Sequence, residues 1–259
     1  MPLHTAEALI LRTYKLAEAD RIVVFLTRDR GKKRGVAKGA RRPRSRFVGA
    51  LEPLTEVRVA YFESERRELV GLNYAETVRS PMSFVGMGGR FVGGPKGPPL
   101  QAPEDVRTDR DDLGRRGAPS GAPALAGTHE DALGYVGYFA ELLDEWAQES
   151  DADDRLYRLG VSMIDALGAG TPVEPLARYF EYWLLRLQGV YPEARGSLSD
   201  AAMLFLAKSR TLPPQRLTDV PADRHAIREL ENVHRTLIAM HLEKTLRSDR
   251  VLRDLRRHA

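Results

Sequence analysis

Sixteen of the 47 residues from Ser83 to His129 are Gly or Pro, and this stretch constrains the chain more than any other feature. Runs such as Gly86-Met87-Gly88-Gly89 and Gly93-Gly94-Pro95 sustain neither a helix nor a central strand, since Gly loses most backbone entropy and Pro lacks the amide donor. Such a composition reads as a flexible linker or surface insertion over 83–129. Folding then happens on either side of it, and the two sides follow different hydrophobic periods.

Before it the period is two. Thr5 to Arg12 places Ala6, Ala8 and Ile10 on one side, and Arg21 to Thr27 is an apolar run of strand length. Gly31 breaks the chain, so Lys32 to Ala37 can pair back as a hairpin. Glu56 to Phe62 alternates through Val57, Val59 and Tyr61, and Leu69 to Glu76 through Val70, Leu72 and Tyr74. Five short strands with no helix between them suggest a small closed barrel.

After it the period is 3.6. Ala132, Val136, Phe139, Ala140, Leu143 and Trp146 share one face. Leu156, Leu159, Met163 and Leu167 mark a second helix, ended by Gly168 and Gly170. Thr171-Pro172-Val173-Glu174 reads as a capping box opening a third, with Leu176, Phe180, Trp183, Leu184 and Leu187 inward. Ser199 can cap a fourth carrying Met203, Leu204 and Leu206. A fifth starts near Asp223 and turns Ile227, Leu230, Val233, Leu237, His241 and Leu242 inward. Helices so spaced form a bundle.

The chain has no cysteine, which removes disulfides, thiol catalysis and cysteine-based zinc sites. No apolar run approaches the roughly 18 residues of a membrane helix. Met1 to Leu16 already contains His4, Glu7, Arg12 and Lys15 and does not read as a signal peptide, so a cytoplasmic protein is expected.

Charge is where function shows. Arg28 to Arg46 holds ten Lys/Arg against Asp29 alone, a local +9 in a chain of net +4, so the remainder sums to −5. Such clustering creates a strong local field. Cations on a Gly-spaced segment can track phosphates, and Arg suits bidentate phosphate contact. Lys32, Lys33, Arg34, Lys38, Arg41, Arg42, Arg44 and Arg46 are therefore the candidate nucleic-acid contacts, with Tyr61 and Phe62 as candidate stacking platforms that alternate in face. A solvated charged loop or a membrane-surface patch is the plainer alternative.

Other constellations are weaker. The phosphate-loop spacing G-x-x-x-x-G-K-[ST] is absent. Asp144, Glu145, Glu149, Asp151, Asp153 and Asp154 could serve a metal-dependent nuclease, but they read as a solvated helix face and end. His234 and His241 are seven apart, too far for a helical metal pair, and read as packing or surface residues. Lys244, Arg247 and Arg250 form a second basic element that could join a DNA path, hold an acidic peptide, or simply complement a helix dipole.

The segments Glu7-Ala8-Leu9-Ile10-Leu11-Arg12, Val36 through Arg46 and Ala50-Leu51-Glu52-Pro53 resemble the RecO family of bacterial DNA repair and recombination mediators. So do Phe139 through Asp144, Phe180 through Leu185 and His241-Leu242-Glu243-Lys244-Thr245-Leu246-Arg247-Ser248. The resemblance implies an α+β multidomain protein, with an OB-fold nucleic-acid-binding domain over 1–80 and an all-α helical bundle over 130–259. It further implies a nucleoid-associated protein, and since no catalytic constellation stands out in the sequence, a non-enzymatic one without cofactor is expected. Such a protein binds single- and double-stranded DNA and anneals complementary strands. It would work with RecR and the C-terminal tail of single-stranded DNA-binding protein, and indirectly with RecA. The four-cysteine zinc module carried by many members is missing, because Gly189-Val190-Tyr191-Pro192-Glu193 runs within a few residues into Ser197-Leu198-Ser199. The competing reading is an OB-type adaptor that docks acidic peptides and binds nucleic acid generically.

Overall fold

A computed structural model describes residues 2–64, 66–85, 129–192, 198–221 and 223–258. The Gly/Pro-rich stretch expected to be a linker lies outside them except at its ends, where one helical turn, α1 (Met82–Val85), follows the strands.

The five expected strands form: β1 (Leu3–Lys15), β2 (Arg21–Thr27), β3 (Gly31–Ala37), β4 (Glu56–Phe62) and β5 (Val70–Arg79). They close into a barrel in the order β1-β2-β3-β5-β4, the arrangement of an OB-fold. β1 is long enough to pair twice, with β4 over Leu3–Leu9 and with β2 over Ala8–Lys15, and this double pairing closes the barrel. On the other side β3 meets β5 in parallel, over Gly35–Ala37 only. Ala6, Ala8, Ile10, Val23, Phe25, Val59, Tyr61 and Val70 fill the interior, and Phe47, Ala50 and Leu51 of the β3–β4 connection join them. Tyr74 does not share the inward face expected of it. The β4–β5 register shifts beside it, and Ala75 turns inward instead.

The helices are α2 (His129–Trp146), α3 (Asp154–Gly168), α4 (Val173–Leu187), α5 (Asp200–Thr211), α6 (Arg224–Leu242) and α7 (Arg247–His258), with a 3-10 turn at Pro214–Asp219. The helix starting at 173 lacks the expected capping box. Pro172 occupies the cap position with no side-chain cap bond, because Thr171 is buried and donates its hydroxyl to the Pro214 carbonyl. Ser199 does cap α5, accepting from the Ala202 amide at 3.3 Å. Its inward residues are Ala202, Phe205 and Leu206, whereas Leu204 is exposed. On α6, His234 and Ile238 turn inward, and His241 lies on the surface, stacked against Trp146 at 5.4 Å. Glu243, in the left-handed region, ends α6 and separates it from α7.

Barrel and helices share a core. β1 and β2 are apolar on both faces, and their outward Leu9, Leu11, Val24 and Leu26 join Phe139, Leu143, Leu159 and Phe180 in one cluster. Each such side chain taken from water contributes about 2 kcal/mol. Approach is close: a Cβ on Gly160 of α3 would lie 2.6 Å from Leu9 Cδ1.

Inside the bundle, Glu181 gathers a buried polar network. Its Oε1 accepts from the Tyr138 hydroxyl at 2.7 Å and from Arg178 Nη2 at 2.8 Å, and its Oε2 lies 3.0 Å from His234 Nδ1. Tyr191 meets the other ring nitrogen at 3.3 Å. Burial holds His234 below the ordinary histidine value, against the Glu181 contact, which favours the proton.

Candidate nucleic-acid interface

The basic segment runs along β3 and into the β3–β4 connection, and the structure splits it into two parts. In β3, Lys32 Nζ donates to the Asp144 carbonyl at 2.6 Å and meets its carboxylate at 3.4 Å, with both side chains largely buried. Lys33 Nζ lies 2.7 Å from Glu63 Oε1 and 3.1 Å from the Ser150 hydroxyl. That bond from Lys33 is the first cause holding the Glu63 carboxyl below its ordinary value. Arg34 pairs with Glu149 at 2.5 Å.

This part of β3 also bonds through its backbone. The Lys32 amide donates to Gln148 O at 3.0 Å and the Ser150 amide to Lys32 O at 3.1 Å, so residues 148–150 form a short parallel bridge on the β3 edge that β5 leaves free. Gly31 makes the approach possible. Its φ is +67°, and a Cβ there would lie 2.2 Å from the Asp151 carbonyl oxygen.

The β3–β4 connection is different. Lys38, Arg41, Arg42, Arg44 and Arg46 are all exposed, and among the described residues none is paired with a carboxylate. Arg41 donates to the backbone carbonyls of Ala17, at 3.2 Å, and Glu18, at 2.8 Å, in the β1–β2 loop. Its amide bonds Ala19 O, and the Gly39 amide bonds the Asp20 carboxylate at 2.8 Å. These contacts fix the start of the connection against that loop. Lys38, Arg42, Arg44 and Arg46 stay open, with Arg46 lying over the Phe47 ring at 5.2 Å.

The acidic cluster is only in part the solvated face expected of it: Glu149 and Asp151 are exposed, but the others are engaged. Asp144 and Glu145 face Arg12 of β1, Asp154 meets Arg28 at 2.8 Å, and Asp153 caps α3 through the amides of Arg155 and Leu156. Among the described residues no three acidic or histidine side chains converge as a metal site. Glu141 carries the longest-range link. It accepts from the Arg247 amide, the Ser248 amide and the Ser248 hydroxyl at the start of α7, and lies 3.5 Å from Arg12. Burial opposes its charge, yet these bonds and Arg12 together hold its carboxyl below the ordinary value. Lys244 pairs with Glu145, whereas Arg247 and Arg250 are exposed.

Tyr61 is sealed in the barrel beside Phe25, and burial pushes its hydroxyl up to about 12. Phe62 faces outward and lines a cleft of about 620 Å³ with Lys38, Arg46, Arg67, Gly71 and Asn73. Sequence reasoning named Phe62, Lys38 and Arg46 but missed the three residues of β5 and its preceding loop. Arg67 lies in a charge-balanced run, Glu65-Arg66-Arg67-Glu68, and Asn73 has no charged neighbour within two residues, so neither signals a site until the strand order brings them to the basic loop.

A closed five-stranded OB barrel with an open basic connection, sharing its core with a helical bundle, defines the class of protein to which these features belong. The family models named recombination protein O N terminal and recombination protein O C terminal match residues 1–81 and 130–197, together more than half of the sequence. The chain belongs to the recombination protein O family. It is 35% identical over 191 residues to the DNA repair protein RecO of Koribacter versatilis, covering 74% of this chain and 61% of that protein. It is 33% identical over 183 residues to that of an Anaeromyxobacter species, 71% of this chain and 56% of the relative. Similarity to the Bifidobacterium adolescentis protein is concentrated, at 54% identity over 78 residues. The matched stretch thus spans less than two thirds of the length of these relatives.

Proposed function

We propose that this chain acts in DNA repair and recombination as a non-enzymatic DNA-binding mediator whose principal phosphate contacts are Lys38, Arg42, Arg44 and Arg46. The observation that carries this reading is the exposure of these four cations on one connection, with no carboxylate partner among the described residues. Charge held open in this way costs self-repulsion and favours a polyanion. The connection also sits beside the β1–β2 loop, and OB-folds commonly bind oligonucleotides with that loop, the β4–β5 loop and the adjoining strand face. The names of the relatives, DNA repair protein RecO, agree with a repair role.

In this reading Lys32, Lys33 and Arg34 hold the barrel to the helices, and Arg41 orders the loop. Binding through phosphates is indifferent to sequence, as strand annealing and hand-over require. RecR, the tail of single-stranded DNA-binding protein and, indirectly, RecA are the expected partners. The acidic-peptide adaptor has less support, since Lys244 of its proposed surface is engaged by Glu145.

The test is a salt titration of oligonucleotide binding with Arg42→Glu/Arg44→Glu. Each lost phosphate contact flattens the log–log slope by about 0.7 on single strands, so the double variant should lose about 1.4. An unchanged affinity and slope would remove the loop as the contact. Annealing of strands coated with single-stranded DNA-binding protein, by the wild type and not by this variant, would separate a mediator from a generic binder.

A further inference from the structure

The cleft beside the basic loop has a form that phosphate binding alone does not call for. Three strands meet there in register: Val36 of β3 lies opposite Gly71 of β5, and Gly71 lies opposite Phe62 of β4. Their neighbours Val70 and Leu72 point into the barrel, so Val36, Gly71 and Phe62 form one outward row. With no side chain at Gly71, the row has an apolar floor between two walls, and a Cβ built there would have no neighbour within 4 Å.

The rim is polar and mainly positive. Lys38, Arg46 and Arg67 stand against Glu68, and Asn73, two residues along the same face as Gly71, offers an amide with both donor and acceptor. The volume, about 620 Å³, falls within the range of small-molecule sites. A flat aromatic wall, an apolar floor one side chain deep, a hydrogen-bonding amide and a cationic rim suit one kind of guest: a planar heterocycle attached to a phosphate chain.

We infer that this cleft takes an unstacked nucleobase, held against Phe62 over Gly71, while Lys38 and Arg46 hold the flanking phosphates. The inference rests on the DNA-binding reading above and deepens it by assigning a strand preference. In a duplex the base faces are covered by their neighbours, and extrusion costs a few kcal/mol. A single strand offers its bases freely, and stacking on aromatic side chains tolerates any sequence. The loop then supplies affinity for any polyanion, and the cleft supplies preference for single strands.

Gly71→Leu and Phe62→Ala test this in the full chain. The first fills open space on a sheet surface, and the second trims a partly exposed ring, so thermal melting should show both variants folded. Affinities are measured for an oligothymidine of about 16 nucleotides, the upper end of OB-fold site sizes, and for a duplex of equal length. Each variant should weaken single-strand binding roughly tenfold and leave duplex binding unchanged. In a parallel measurement, 2-aminopurine within the single strand should lose stacking-dependent quenching with either variant. Equal weakening on both substrates, or an unchanged single-to-double-strand ratio, overturns the cleft assignment while leaving the loop in place. If Arg42→Glu/Arg44→Glu also changes nothing, the DNA-binding reading itself has failed.

Discussion

Lys32, Lys33 and Arg34 lie in β3, and Lys38 to Arg46 lie in the connection that follows, with only three residues between the two groups. The first group meets Asp144, Glu63, Ser150 and Glu149, and its backbone is bridged by residues 148–150. The second meets backbone carbonyls, an aromatic ring and solvent. Identical charges thus do two jobs, and what separates them is which face of the barrel the helices cover. Strand side chains alternate in face: Lys32 and Arg34 point toward α2 and the α2–α3 connection, while Lys33 meets Glu63 just past β4 as well as Ser150. The loop that follows β3 meets the backbone of the β1–β2 loop instead.

Four measurements would break or sharpen this contrast. The largest effect is expected from Arg42→Glu/Arg44→Glu, which should weaken DNA binding at least tenfold at moderate salt and leave the melting temperature within a degree or so. Equal loss from the corresponding change in β3, with the fold intact, would erase the distinction.

Next comes Lys32→Met. Among the described residues it leaves the largely buried Asp144 with Arg12 at 3.5 Å as its remaining cation, and should cost about 2 kcal/mol. Thermal melting should fall by roughly 4–8 °C, and DNA affinity of the folded protein should stay as it was.

Glu149→Gln should do the reverse on a smaller scale. The Arg34–Glu149 pair is more than half exposed, so its loss hardly changes stability. It does release a cation next to the loop. DNA affinity should rise by roughly two- to fivefold, and the salt slope should steepen by no more than about 0.7. A Glu149→Gln protein that binds DNA more weakly would show that Arg34 works only while it is held.

The smallest effect concerns the bundle alone and serves as a control. His234 is buried with Glu181, Tyr191 and Arg178, and its folded value lies below the ordinary one near 6.5. The folded state therefore excludes a proton that the unfolded chain accepts, and stability falls as pH drops below about 6.5 toward the lowered value. Melting between pH 7.5 and 5.5 should decline in the wild type and flatten in His234→Gln. A slope that survives the substitution assigns the titration elsewhere.

Much of this was legible in the sequence because periodicity reports which faces are buried. β2 and β4 were read with their observed boundaries, since runs such as Ile22–Leu26 and Val57–Tyr61 permit little else. Tyr74 was misplaced because a register shift moves the inward position from 74 to 75, and no local pattern announces a bulge. On α5 the pattern picks out Leu204, which is exposed, and passes over Phe205, which is buried, because the apolar face of this helix is poorly marked. For the candidate site, charge density located the segment but could not divide it. Division depends on Asp144, Glu149 and Ser150, more than a hundred residues away, and on the strap their segment lays against Gly31. The cleft was invisible for the same reason, since Gly71 and Asn73 carry no chemistry until β5 is set beside β3.

Glu141 has a consequence for how the protein is made. It joins Arg12, 129 residues before it, to Ser248, 107 residues after it. During synthesis the strands emerge first, with Leu9, Leu11, Val24 and Leu26 still facing water and Arg12 without its acids. The helices that cover this surface arrive only after more than a hundred further residues, and the Glu141–Ser248 contact closes only once the start of α7 has been made. A nascent barrel with such an apolar stripe is a natural client for chaperones and a natural seed for aggregation, so the yield of soluble protein should depend on the speed of translation.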